Sequence, residues 1–365
     1  MTITISGLTK SFDDTSVLRG IDLQVNNGEL LALLGPSGSG KTTLLRIIAG
    51  LDWPDSGQLI VAGQNWLDLP AQKRRIGFVF QSYALFPHMN VRDNLAFGLT
   101  VRPRTERPDK AEITDVVDNL LGLLQIEHLA DRFPGQLSGG QRQRVALGRA
   151  LAIQPSVLLL DEPFGALDAA IRRDLRRWLR EVHDQTGSTT IFVTHDQEEA
   201  FELADRVVVM GDGEIQQIGT ADEIHDQPAS PFVARFMGGV NELPVMIRGG
   251  RALAPGLNGR DLFCGHIPDG PATLFLRPDD IVLEADTESP WRLTQKNSTG
   301  SDLRLLLAGT DGTDGTEIPV DLPRRNAPVL MVGNHFRLRP LHGALFSDGK
   351  SLPMDAGAEP IRLSA

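Results

Sequence analysis

A chain of 365 residues, 41% of them hydrophobic, can bury a sizeable core and exceeds one ordinary compact domain, so two domains are expected. Its formal net charge of -11 disfavours general binding to nucleic acid or anionic lipid. A single cysteine, Cys264, excludes an intramolecular disulfide framework and a multi-cysteine zinc site and fits a reducing compartment; the first residues carry no secretory-signal pattern, and no apolar run approaches the roughly 20 residues that span a bilayer.

The first apolar run, 30–34, reads as a buried strand. It runs into Gly35-Pro36-Ser37-Gly38-Ser39-Gly40-Lys41-Thr42, followed by Thr43 and a helical pattern over 42–49. This fits the phosphate-binding pattern G-x-x-x-x-G-K-[ST] in the strand–loop–helix context the pattern needs. Glycines let the backbone wrap phosphate oxygens, and the helix N-terminus adds positive potential. Lys41 is expected to reach the β- and γ-phosphates and Thr42 to ligate magnesium. A ligand-free Gly-rich turn is the bland alternative.

Further buried strands are expected at 76–80, 157–160, 190–194 and 206–210, with helices over 140–153 and 169–185. Strands alternating with helices imply an α/β domain with a mostly parallel sheet covered on both faces. The 157–160 strand ends in Asp161-Glu162. Beside a phosphate loop, Asp161 is placed to hold magnesium and Glu162 to activate the attacking water; alone, the pair would read as solvated strand-end carboxylates. The 190–194 strand ends in His195. It reads either as a structural histidine or as a group sensing the γ-phosphate. Three strands thus carry useful polar groups at their carboxyl ends, the edge at which open α/β sheets bind ligands. From about Gly238 the chain turns Gly- and Pro-rich, with short strands at 272–276, 303–307, 317–320 and 335–338. This predicts a second, all-β domain, a small OB-like barrel. The division is 1–236 and 237–365, with a helical subdomain over about 88–155.

Leu137-Ser138-Gly139-Gly140-Gln141 resembles the signature sequence of the ABC transporter ATPases. Taken alone, the segment reads as a helix N-cap. The resemblance extends over nearly all of 1–236. It implies that Phe12 stacks on adenine, that Gln81 contacts magnesium and couples to the membrane partner, that Ala166-Leu167-Asp168 crosses a dimer interface, and that His195 is the switch histidine. It also implies a head-to-tail homodimer in which each MgATP lies between one chain's phosphate loop and the other chain's Ser138, Gly139, Gly140 and Gln141. Asp168 joins the nucleotide-binding set in this reading.

Phe78-Val79-Phe80-Gln81, Tyr83-Ala84-Leu85-Phe86, Phe97-Gly98-Leu99-Thr100-Val101, Glu106-Arg107-Pro108, Arg176-Arg177-Trp178-Leu179-Arg180 and 194–200 are most similar to sulfate/thiosulfate importer ATPases. That likeness implies a peripheral ATPase on the cytoplasmic face of the cell membrane, docked on integral permease subunits that an extracytoplasmic solute-binding protein serves. Molybdate, ferric iron, polyamine or sugar are alternative solutes. A soluble ABC ATPase acting on nucleic acid or ribosomes is a further alternative; such proteins usually carry coiled-coil insertions, zinc cysteines or fused cassettes, none of which is seen here. Arg172, Arg173, Arg176, Arg177 and Arg180 read as a solvated or interdomain basic face, and Trp66 and Tyr83 as packing residues.

Overall fold

The computed structural model describes residues 2–165, 169–257, 267–310, 315–326 and 330–352. Ala166, Leu167, Asp168 and Cys264 lie outside the described residues. By its internal contacts the chain divides into two units, Met1–Ala221 and Asp222–Ala365.

The first unit opens with β1 (Ile3–Phe12) and β2 (Thr15–Val25), an antiparallel pair, followed by β3 (Leu30–Leu34), α1 (Lys41–Ala49), β4 (Ser56–Val61), β5 (Gln64–Asn65) and β6 (Ile76–Val79). Then come α2 (Val91–Thr100), α3 (Lys110–Leu123), α4 (Gly139–Ala152), β7 (Val157–Asp161), α5 (Ala169–Thr186), β8 (Thr189–Thr194), α6 (Gln197–Leu203), β9 (Arg206–Gly211) and β10 (Glu214–Gly219). One sheet has the order β2-β1-β4-β5; the other has the order β10-β9-β3-β8-β7-β6. In the second sheet β9, β3, β8, β7 and β6 run parallel, and β10 adds an antiparallel edge. β3, β7 and β8 are buried at every position. That explains why they read as unbroken apolar runs: a parallel sheet covered on both faces has no polar side.

α1 contributes Leu44, Leu45, Ile47 and Ile48 to a core that also holds Ile3, Leu8 and Leu59 from one sheet and Leu31, Leu33, Leu159 and Val193 from the other. The helix that starts at the phosphate loop is therefore clamped between two sheets. The antiparallel sheet has no continuous apolar run to announce it. In β2, buried Leu18, Ile21, Leu23 and Val25 are interrupted by exposed residues, because one face meets water.

α2, α3 and α4 pack on one another. Each starts on a side-chain cap: Asn90, Asp109 and Ser138. α5 buries Leu175, Trp178, Leu179 and Val182 at helical spacing. Arg173 and Arg177 are exposed, as a solvated face requires, but the other three arginines are held by acids. Arg172 pairs with Asp196 and Glu199, Arg176 with Glu198 and Glu202, and Arg180 with Asp184 and Asp205. Arg176 is only 4% exposed. The acids come chiefly from α6 and the residues flanking it, so the cluster serves packing within the unit. Trp66 and Tyr83 are buried, as expected of packing residues.

The second unit contains α7 (Ala221–Asp226, from its second residue), α8 (Pro231–Phe236), β11 (Asn241–Arg248), β12 (Arg251–Leu253), β13 (Gly270–Leu276), β14 (Ile281–Ala285) and β15 (Trp291–Ser298). β16 (Asp302–Gly309), β17 (Glu317–Pro323), β18 (Phe336–Pro340), β19 (Ala344–Ser347) and β20 (Lys350–Leu352) complete it. Among the described residues its strands form sheets ordered β12-β11-β13-β19-β20, β14-β18 and β15-β16-β17. Side chains from all three, including Leu243, Leu274, Leu283, Trp291, Leu305, Val320 and Leu338, enclose one core. This is the small β domain expected from the composition change, with ten strands in three sheets among the described residues.

Candidate functional site

Leu34, the last residue of β3, pairs with Thr194 of β8; Asp161 of β7 pairs with Val193; Val79 of β6 pairs with Leu160. The carboxyl ends of four neighbouring parallel strands therefore form one edge. The loop 35–40, Asp161-Glu162, His195 and Gln81 all leave the sheet there, as the topology of open α/β sheets requires of a ligand site.

The loop leaves Gly35 and enters α1 at Gly40. Gly35 admits no side chain: a Cβ there would lie 2.2 Å from the Met210 carbonyl oxygen. Gly40 has φ 93°, and a Cβ there would lie 2.6 Å from Leu18 Cδ2. Gly38 also sits in the left-handed region, at φ 83°. Gly35, Ser39, Gly40 and Lys41 are buried, whereas Pro36, Ser37 and Gly38 form an exposed rim. Because its N-cap is glycine, α1 has no side chain to occupy its first N–H groups. These donors stay available to an anion, and the helix potential there is positive. The cradle thus fits a polyphosphate, with Thr43 in the first turn above it.

Lys41 Nζ donates to the carbonyl oxygens of Gly35 and Pro36, both at 2.8 Å, and to Ser39 Oγ at 3.3 Å. Burial lowers its pKa, against the opposing pull of Glu162 and Asp161. Asp161 is raised by burial, opposed by the hydrogen bond from Thr42 and by the Arg46 and Lys41 charges; Glu162 adds to the rise. In both groups the loss of water outweighs the attraction between them. The Thr42 hydroxyl donates to Asp161 Oδ1 at 2.9 Å. Two hard oxygens side by side, next to a phosphate cradle, suit magnesium.

Successive residues of a strand point to opposite faces. Asp161 and Glu162 nevertheless serve one site, because Glu162 leaves the strand at φ 45°. Its N–H is held by the Val193 carbonyl at 3.1 Å. Glu162 Oε2 accepts from Gln81 Nε2 at 2.7 Å, and Oε1 lies 3.5 Å from His195 Nδ1. Glu162, Gln81 and His195, which come from three strand ends, are therefore one cluster.

The remaining residues fall elsewhere. Phe12 is 46% exposed at the β1–β2 turn, with Lys10 Nζ 4.9 Å from its ring centroid. The same β2 strand touches the loop at Gly40 through Val17 and Leu18. Ser138 caps α4: its Oγ accepts from the Gln141 N–H at 3.3 Å, while its own N–H donates to Gln141 Oε1 at 2.9 Å. Ser138 is exposed, Gly139 and Gln141 are half-buried, and Gly140 is buried. The N-cap geometry and the signature reading are thus compatible. Asp168 lies outside the described residues.

Two organising residues escape the sequence motifs. Arg149 of α4 donates to the carbonyls of Ala84 (2.7 Å) and Tyr83 (3.1 Å), anchoring the segment after Gln81. Asn94, fully buried in α2, accepts from the Phe86 N–H and donates to the Phe86, Met89 and Asn90 carbonyls. The available signal was a polar side chain on the apolar stripe of each helix.

The family profile described as "ABC transporter" matches residues 18–165. The sulfate/thiosulfate import ATP-binding protein CysA 1 of Agrobacterium fabrum is 50% identical over 348 residues, covering 95% of this chain and 99% of that protein. The sulfate/thiosulfate import ATP-binding protein CysA of Methylococcus capsulatus is 53% identical over 323 residues, covering 87% and 91%. Among solved structures, a dimeric post-hydrolysis state of the ATP-binding cassette MJ0796 bound to ADP and Pi matches with TM-score 0.54 and 31% identity, covering 60% of this chain and 98% of that one. The cbiO1 protein of Clostridium perfringens, part of the ABC transporter complex cbiONQ, matches with TM-score 0.55 and 31% identity, covering 61% and 89%. With a phosphate cradle, an acidic strand end and a capped signature helix on one scaffold, and relatives this similar along almost the whole chain, the protein belongs to the ABC transporter ATP-binding family, in its sulfate/thiosulfate import branch.

Proposed function

We propose that the chain is the ATP-hydrolysing subunit of an importer for sulfate or thiosulfate, working as a homodimer on the cytoplasmic face of a membrane. Integral permease subunits would form the path, and an extracytoplasmic binding protein would deliver the anion. The observation that carries the catalytic part is the Gln81–Glu162–His195 cluster beside the phosphate cradle.

In this reading Phe12 stacks on adenine, and residues 35–40 with Thr43 hold the phosphates through backbone and hydroxyl donors. Lys41 gives up its carbonyl partners for the β- and γ-phosphate oxygens. Thr42, Asp161 and Gln81 would hold Mg2+, which when bound neutralises charge on the β- and γ-phosphates. Glu162 accepts the proton of the water that attacks the γ-phosphorus in line, and ADP leaves on the opposite side. His195 orients Glu162 and the γ-phosphate. Ser138, Gly139, Gly140 and Gln141 of the second copy, together with Asp168, close over the nucleotide and exclude water. The anion preference rests on the relatives' likeness along the chain, since an ATPase subunit does not hold the solute.

The test is ATPase activity in vesicles holding the permease and its binding protein, with sulfate, thiosulfate, molybdate or no anion. Stimulation by sulfate or thiosulfate is expected. Stimulation by molybdate alone would overturn the substrate assignment and leave the hydrolytic one standing.

A further inference from the structure

His195 is held from behind. Its ring is 60% exposed and lies near Glu162, so its own packing does little to fix it. Its two chain neighbours are fixed instead. Thr194, 1% exposed, ends β8 and donates its hydroxyl to Glu199 Oε2. The same hydroxyl accepts from the Asp196 N–H at 3.0 Å. Asp196 caps α6 by accepting from the Glu199 N–H at 3.3 Å and receives Arg172 Nη1 at 3.1 Å. Arg172 Nε lies 3.8 Å from Glu199 Oε1. Glu199 itself is 4% exposed.

A carboxylate this buried is costly unless held by partners. Helix capping does not need it, because Asp196 already caps α6. What Glu199 does is tie the last residue of β8 to the first turn of α6 and to Arg172, one turn into α5. His195 is the middle of that turn.

We propose that Glu199 is a positioning residue for His195: through the Thr194 hydroxyl and Arg172 it fixes the β8–α6 turn so that the imidazole meets Glu162 and the γ-phosphate. The inference rests on the role given to His195 above.

Positioning errors of the order of 1 Å can cost up to about a hundredfold in rate. Glu199→Gln and Thr194→Val are therefore each expected to lower kcat for ATP about tenfold with unchanged KM and ATP affinity. Thr194→Ser, which keeps the hydroxyl, should restore turnover. Single-turnover rates in a His195→Ala background decide the route: Glu199→Gln should add no further loss there, since the group it positions is gone. An equal additional loss, or a fall in ATP affinity matching the fall in kcat, would make Glu199 a purely structural residue. Wild-type kcat in both Glu199→Gln and Thr194→Val would overturn the inference outright. If Glu199→Gln does not fold, the Thr194→Val and Thr194→Ser pair decides alone, Val behaving like Ser being the overturning result. Wild-type turnover in His195→Ala itself would instead defeat the role assigned to His195, a failure this design keeps separate.

Discussion

Glu162 occupies the left-handed backbone region, which costs a non-glycine residue roughly 1–2 kcal/mol. Replacing it with glycine would relieve that strain and remove the carboxylate, so the strain is held for the side chain's position. Asp161 illustrates a related cost. Its carboxyl is raised by burial, so folding favours proton uptake at pH values between the ordinary carboxylate range and its raised folded value. Relative to the ionised form, the stability it lends is fully present below that window and lost as pH rises through the folded value. Above that value it is a buried charge whose loss of water outweighs its partners. Asp161→Asn keeps an acceptor for the Thr42 hydroxyl, and in nucleotide-free protein it should raise Tm at pH above that value by about 2 °C, the shift for about 1 kcal/mol. The gain should vanish as pH falls toward the ordinary carboxylate range, and the further rise that Mg2+ gives on top of ATP should be lost. Thermal unfolding with and without ATP and Mg2+, across pH, checks all three.

At the scale of elements, α1 is the part that must not move. Its N-terminus has no side-chain cap and is open to phosphate; its C-terminus ends on Gly50, whose N–H donates to the Ile47 carbonyl, and is closed further by Arg74. That guanidinium is 1% exposed and donates to the Ile47 and Ile48 carbonyls at 2.7 and 2.9 Å and to the Leu69 carbonyl at 3.0 Å. A cation at a helix C-terminus complements the macrodipole; Arg74 gives the Ile48 carbonyl a donor and the Ile47 carbonyl a second one. Arg74 lies two residues before β6, whose end carries Gln81, so it ties the back of α1 to the strand of another site residue. Arg74→Met, similar in length but without donors, should destabilise the first unit by about 2 kcal/mol, lowering the ATP-sensitive thermal transition by about 5 °C. A shift under 1 °C would remove Arg74 from this role.

The molecule as a whole is specified by two kinds of unit. One is a covered parallel sheet that gathers polar groups at a single edge; the other is a β domain with its own core. The site on the first unit is open, with Gln81 and His195 exposed, which suits closure by a second copy. Glu162→Gln should abolish steady-state turnover while ATP binding persists, and it should double in mass by sedimentation in ATP but not in ADP. Turnover near wild type in that variant would take the base role away from Glu162. A monomer in ATP would leave the base role and count against closure by dimerisation.

What the sequence by itself determined is whatever local chemistry forces. The strands read at 30–34, 157–160 and 190–194 were legible because both faces are buried, and short runs dominated by apolar and β-branched residues have few other uses. The phosphate loop was legible because its glycines are demanded by close backbone approach, as at Gly35 and Gly40. The ABC resemblance then extended the reading to Phe12, Gln81 and Ser138. Only the tertiary structure decided the rest. β1, β2 and β4 alternate buried and exposed positions, and their pairing is set by contacts distant in sequence. Arg172, Arg176 and Arg180 of α5 looked as solvated as Arg173 and Arg177 because the acids that hold them lie mainly on or beside another helix. Arg74 and Arg149 carry no motif, since what defines them is a carbonyl brought close by folding; Glu199 falls within 194–200, but its tie to the Thr194 hydroxyl shows only in the fold. Local sequence specifies a strand, a turn or a cap; which polar group meets which across the fold depends on where the chain returns, and that is a property of the packed whole.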